Sequence, residues 1–125
     1  DYQQLFLVKR FIENKYSTKV IGCKTIRNKS KLPFSSRNSL LNDDDLVVAG
    51  KISKKISLLK RKIKNKRNIN EFLLDEKINI QKNFNVKIEY LEHRNEKDLT
   101  LSNKTIQSKI FVSYYVKKIR LIDNF

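Results

Sequence analysis

Two hydroxyls and a guanidinium stand side by side at Ser35-Ser36-Arg37, followed by Asn38. Such a group can grip phosphate oxygens, because hydroxyls donate to them and arginine stays charged at any working pH. The same string also reads as a turn with a solvated arginine, since Ser and Asn favour turns through local hydrogen bonds. Asp1 and Gln4 have the D-x-x-Q spacing of a capping box, so a helix-starting role competes with a ligand-binding one. The run Asp43-Asp44-Asp45 has the charge of a metal site, but after Asn42 it reads better as the acidic first turn of a capped helix. Cys23 lies among Val20, Ile21 and Gly22 without a neighbouring base, and is expected to be a small buried hydrophobe. The single histidine, His93, sits between Glu92 and Arg94 and is expected to be a surface or structural residue. One histidine excludes any mechanism that draws two imidazoles from this chain. One cysteine excludes an internal disulfide framework and a cysteine-based zinc cluster. No catalytic residue and no metal ligand is assigned within the chain.

The elements that must hold these residues follow from periodicity. A helical apolar stripe at Leu5, Val8, Phe11 and Ile12 begins just after Asp1. A natural N-terminus seldom opens on its own helix cap, so the chain is expected to be a fragment. Thr18 to Lys24 (TKVIGCK) is a β-rich run of the kind found in a buried strand. Residues 27 to 42 lose all periodicity and collect Ser, Asn and Pro33, which predicts a long polar loop of the functional kind. Leu46, Ala49, Ile52, Ile56, Leu59 and Ile63 then share one face of a helix predicted over 43–66, and a second helix is predicted over 70–83. Three β-patterned segments close the chain: Val86 to Tyr90, Ile110 to Val116, and Ile119 to Leu121, the last two joined by a tight turn near Lys117. A small antiparallel sheet covered on one face by the two helices is expected, with a domain boundary near residue 40.

Composition narrows the function classes. The 125 residues hold at most one domain, or a modest one plus a fragment. Lys and Arg number 28 against 13 Asp and Glu, a formal net charge of +15. A charge of that size invites a nucleic-acid reading. Lysine is nevertheless spread over nearly the whole length, and Ile and Asn are also abundant while Met and Trp are absent. That joint bias is what an AT-rich coding sequence produces, and the dense stretch Lys51 to Arg67 reads as the solvated face of a helix. No run approaches the roughly eighteen apolar residues of a membrane span, and nothing reads as a signal peptide. A reducing cytoplasm fits best.

Order and spacing add what single residues lack. Asp1-Tyr2-Gln3-Gln4-Leu5, Val20-Ile21-Gly22, Thr25-Ile26-Arg27, Ser35-Ser36-Arg37-Asn38, Tyr90-Leu91-Glu92-His93-Arg94 and Arg120-Leu121-Ile122-Asp123-Asn124 follow one another in sequence. Together they resemble the pantothenate synthetase (pantoate–β-alanine ligase) family from Asp1 to Asn124. The resemblance implies an α/β chain: the end of a Rossmann-like nucleotidylyltransferase domain over 1–40, then a small α+β lid domain over 41–125 with two helices on a three-stranded antiparallel sheet. It implies ATP-dependent condensation of pantoate with β-alanine through a pantoyl-adenylate, with Mg²⁺ carried on the ATP phosphates and a homodimer as the assembly. Position by position, it places Gln4 on pantoate, Asp1 in the segment holding the ATP ribose, and Ile26 on adenine through its backbone. Phe34, Ser35, Ser36 and Arg37 become the mobile phosphate loop, while the family's histidine motif would lie upstream. The chain departs from the family at Lys29-Ser30-Lys31, where a glycine is usual, at Phe34, and at Lys117 in a turn that tends to hold glycine. Two other readings stay open: a basic polyanion-binding module, and a remnant that folds without catalysing.

Overall fold

Three side chains start the three helices. Asp1 accepts from the N–H groups of Gln3 and Gln4, Asn42 from that of Asp45, and Asn68 from that of Glu71. Each supplies a partner to donors that a first helical turn leaves unpaired. In the computed structural model, which describes residues 1–125, these caps open α1 (Tyr2–Lys15), α2 (Asp43–Lys62) and α3 (Ile69–Phe84). The helix predicted over 43–66 tightens into a 3₁₀ turn at Ile63–Asn65 after basic residues that suit the negative end of the dipole. Asn85, left-handed at φ 49°, ends α3, a conformation that asparagine tolerates better than most residues.

The last third forms the expected sheet: β1 (Lys87–Asn95), β2 (Ser108–Val116) and β3 (Ile119–Asn124), antiparallel in the order β1-β2-β3. Val116 pairs with Ile119, so Lys117 and Lys118 alone make the turn between β2 and β3. Pairing sets Ile88 beside Tyr114 and Tyr114 beside Leu121, with Leu91–Val112 and His93–Ile110 on the same face. That face meets Ala49, Ile52, Ile56 and Leu59 of α2 and Ile69, Leu73 and Ile80 of α3 in one buried cluster. Leu32 and Leu41 belong to the same cluster, so the core continues across position 40.

A polar network fixes α3 to β1. Asn70 Oδ1 accepts from His93 N at 2.8 Å, and its Nδ2 donates to the carbonyls of His93 and Ser102 at 3.2 and 3.1 Å. His93 is buried, with Nδ1 2.8 Å from the Ser102 carbonyl. A carbonyl only accepts, so Nδ1 carries the proton, and His93 is structural.

Two expectations need correction. The run Thr18 to Lys24 pairs with no other strand; a β-prone segment becomes a strand only beside a neighbour that takes its backbone groups. Cys23 is consequently exposed rather than a buried hydrophobe. The stripe on α1 does form a helix, but none of its residues is buried, and Val8 and Phe11 face outward.

Candidate functional site

The sheet face opposite α2 and α3 carries Tyr90, Phe111, Ile122 and Asn124. The first turn of α1 overhangs it from one side. Tyr2 packs edge-on against Phe111, ring centroids 5.7 Å apart, and its hydroxyl donates to the Glu96 carbonyl at 3.3 Å. Burial, and then the nearby Glu96 charge, push the Tyr2 phenol up. From the other side comes a tight hairpin over residues 26–34. Phe34 N donates to the Ile26 carbonyl at 3.1 Å and Asn28 N to the Leu32 carbonyl at 2.9 Å, with Arg27 bridged to Pro33.

Side chains rather than glycine shape this hairpin. Asn28 Oδ1 accepts from Ser30 N, Ser30 Oγ and Leu32 N, while Lys31 takes the left-handed conformation at φ 69°. Ser30 lies so close to α2 that a Cβ at Gly50 would fall 2.6 Å from its Oγ. A 3₁₀ turn, Ser36–Leu40, follows directly. Ser35 caps it, its Oγ accepting from Arg37 N at 3.2 Å, and Asn38 Nδ2 returns to the Pro33 carbonyl at 2.9 Å.

Between these parts lies a cleft of about 230 Å³. Of the residues singled out from sequence, Asp1, Phe34, Ser35 and Arg37 line it together. Ile26 sits at the foot of the hairpin with its side chain exposed and does not line the cleft. Ser36 points its carbonyl at Ser39 Oγ, and Gln4 is exposed one position beyond Gln3, whose side chain is the one in the cleft. The Arg37 guanidinium makes no hydrogen bond or ion pair, and stands free beside Ser35. Asp43, Asp44 and Asp45 form the first turn of α2, where Asp45 meets Lys117 Nζ at 2.9 Å.

The residue pair that sequence reasoning missed is the most tightly held at the site. Arg27 donates from Nη1 to Asp123 Oδ2 at 2.6 Å and from Nη2 to Asp123 Oδ1 at 2.7 Å, a two-pronged contact. It also donates to the carbonyls of Asn124 and Lys31, each at 2.8 Å, and lies 4.4 Å from the Phe125 ring centre. Burial pushes the Asp123 carboxyl up, and Arg27 pulls it the other way. Both residues lie in motifs visible in the sequence, T-I-R and R-L-I-D-N, but nothing in either says that they meet. Gln3 and Tyr90 also lie in such motifs and Phe111 in a β-patterned run, but nothing in the sequence marked them as lining the cleft.

At the end of the same sheet face toward Arg120, the strand β1 bulges between Ile88 and Tyr90 and releases Glu89. Glu89 accepts from Arg120 Nε at 2.8 Å, Ser113 Oγ at 2.7 Å and Tyr115 OH at 3.0 Å. Arg120 first, then Ser113, hold its carboxyl down at about 2, with the Tyr115 hydroxyl helping and burial opposing.

The architecture defines an α/β chain with a cleft between a helix start, a hairpin and the uncovered face of a sheet, into which Arg37, Asp1 and Asp123 bring charge. The profile of the family described as pantoate-beta-alanine ligase matches residues 1–125, and the chain belongs to that family. It is 36% identical over 126 residues to a pantothenate synthetase of Francisella tularensis subsp. mediasiatica, covering 100% of this chain and 40% of that relative. Among solved structures, it resembles a pantoate-beta-alanine ligase of Francisella tularensis complexed with beta-gamma ATP and beta-alanine, with TM-score 0.69, 33% identity and 40% of that chain covered. A pantothenate synthetase of Thermus thermophilus shares the fold at TM-score 0.79 and 22% identity, over 46% of its length. The chain thus spans less than half of these relatives.

Proposed function

We propose that this chain supplies part of the site of an ATP-dependent pantoate–β-alanine ligase. Residues 1–40 are the end of the Rossmann-like domain and 41–125 the smaller α+β domain of a cytoplasmic homodimer. In the proposed reaction the pantoate carboxylate attacks the α-phosphorus of ATP and pyrophosphate leaves. The amine of β-alanine then attacks the acyl carbon, forming the amide of pantothenate as AMP departs. A carboxylate is already ionised at neutral pH, so the first step needs no general base. It needs alignment of the two reactants and neutralisation of the charge gathering on the leaving group.

The observation that carries this reading is the unpaired Arg37 guanidinium beside Ser35 and Asp1 in one cleft of a chain of this family. Arg37 and the hydroxyls of Ser35 and Ser36 take the phosphates, with Phe34 as the apolar shoulder of the loop. Asp1 belongs to the ribose segment and Gln4 binds pantoate. Ile26 meets adenine through its backbone; its carbonyl already accepts from Phe34 N, and a carbonyl oxygen has a second lone pair for another donor. Mg²⁺ carried on the ATP phosphates would add to the neutralisation of their charge, and no residue of this chain is assigned to hold it. Of the two carboxylates at the cleft, Asp123 is occupied by Arg27, and Asp1 caps the first turn of α1.

The test is formation of pantothenate and AMP from ATP, pantoate and β-alanine. The full-length polypeptide carrying this chain is expected to be active, and the 125 residues alone inactive. Lack of activity in the full-length polypeptide, or turnover by the isolated chain, overturns the reading.

A further inference from the structure

We propose that Arg27 and Asp123 are a positioning pair that sets the phosphate loop against the sheet flooring the cleft. The inference rests on the reading of Ser35–Arg37 as that loop. Arg27 is not available to a ligand: its guanidinium donates to both Asp123 oxygens and to the carbonyls of Asn124 and Lys31. Those acceptors lie in two segments far apart in the chain, the hairpin itself and the end of β3. Within the hairpin, Arg27 is bridged to Pro33, and Pro33 leads without a spacer into Phe34, Ser35, Ser36 and Arg37. The hydrogen bonds between the hairpin and β3 all come from Arg27, and a two-pronged guanidinium–carboxylate contact fixes orientation as well as distance. Phe125 caps the guanidinium on one side. The Asp123 side chain is 4% exposed and that of Arg27 19%, so solvent screens the pair little.

Loss of either partner frees the hairpin to shift relative to Tyr90, Phe111 and Ile122. The contact to ATP then suffers while that to pantoate, which Gln4 on α1 would hold, does not. Misplacement by about an ångström at a reacting centre is enough to cost a hundredfold in rate. A merely structural pair would instead lower the active fraction and leave both Michaelis constants alone.

The experiment uses the full-length polypeptide and its Asp123→Asn and Arg27→Lys variants. ATP and pantoate are varied separately, and amide hydrogen exchange is followed at Asn28 and Phe34, whose N–H groups close the hairpin. Asp123→Asn is expected to raise the KM for ATP about tenfold and slow adenylation by roughly ten- to a hundredfold, with the pantoate KM within about twofold of parental. Arg27→Lys should retain part of the function, because it keeps the charge and loses the fork. Both variants should exchange the two amides faster. An ATP KM unchanged in a folded variant overturns the pairing role. Should Asp123→Asn not fold, the same comparison is decided on Arg27→Lys. An inactive parental polypeptide tells against the ligase reading instead, and amide exchange unchanged by the substitutions then still overturns the pair.

Discussion

Arg27 and Arg37 carry the same group, yet their surroundings assign them opposite tasks. Arg27 is saturated by acceptors of its own chain, whereas Arg37 has none. A cation with no internal partner, next to hydroxyls in a cleft, is the one that can follow charge onto a leaving group in the transition state. Replacing Arg37 by Ala in the full-length polypeptide should therefore slow single-turnover adenylation by about a hundredfold, roughly 2–4 kcal/mol, while pantoate affinity changes little. Lysine should rescue partly. Adenylation at the parental rate would leave Ser35–Arg37 a solvated turn. Ser35 and Arg37 could be singled out together because the chemistry of Ser-Ser-Arg is local to one tripeptide, and both line the cleft. Arg27–Asp123 was not, because the contact joins positions 96 apart and no local spacing encodes it. Glu89 was equally silent, since a bulge that turns a side chain is invisible to a two-residue period. Its carboxyl sits near 2 when folded and close to its ordinary 4.5 when unfolded, so the unfolded chain takes up protons first on acidification. Its contribution is complete above about pH 4.5 and disappears as the pH falls through 2. In acid unfolding followed by circular dichroism, Glu89→Gln should show less loss of stability over that window than the parent. Identical pH slopes would mean that Arg120, Ser113 and Tyr115 do not hold the charge in solution.

Elements were legible where a helix or strand could be specified by its own residues. Asp1, Asn42 and Asn68 cap three helices, and the alternation in the last third gives strands whose register follows from one buried face. The run Thr18 to Lys24 has equal β-propensity and no ladder, because propensity states only that a segment fits a sheet, not that one lies beside it. The turn between β2 and β3 shows the reverse: both the connection and the residue standing where glycine is usual, Lys117, were legible. Lys117 sits at φ 53°, where a side chain costs about 1–2 kcal/mol relative to glycine. Its ion pair to Asp45 involves a lysine side chain that is 65% exposed, and such pairs contribute about 0–1 kcal/mol. The strain outweighs the pair. Lys117→Gly should raise stability by up to about 1 kcal/mol, seen as a melting temperature a few degrees higher by calorimetry. Lys117→Asn should gain part of that, and a fall in melting temperature with glycine would show that the Asp45 contact dominates.

At the scale of the whole molecule the outstanding feature is the net charge of +15. Were it built for a polyanion, the cations would form a continuous track with aromatic faces between them. Instead Lys51, Lys54 and Lys60 lie along the exposed side of α2, Arg27, Arg94 and Arg120 are paired with carboxylates, and Lys66 covers the Phe72 ring at 4.7 Å. Binding to nucleic acid should then rest on counterion release alone, with no sequence preference and a dissociation constant no tighter than about 10⁻⁴–10⁻⁶ M at physiological salt. Titrating the chain with two duplexes of unrelated sequence across a salt series checks this. Log affinity should fall linearly with log salt, with one line serving both duplexes. Tight binding at physiological salt that tells the duplexes apart would mean that the charge is a recognition surface, and would place the polyanion reading ahead of the ligase. Coinciding lines would leave the lysines as solvated surface rather than a recognition surface.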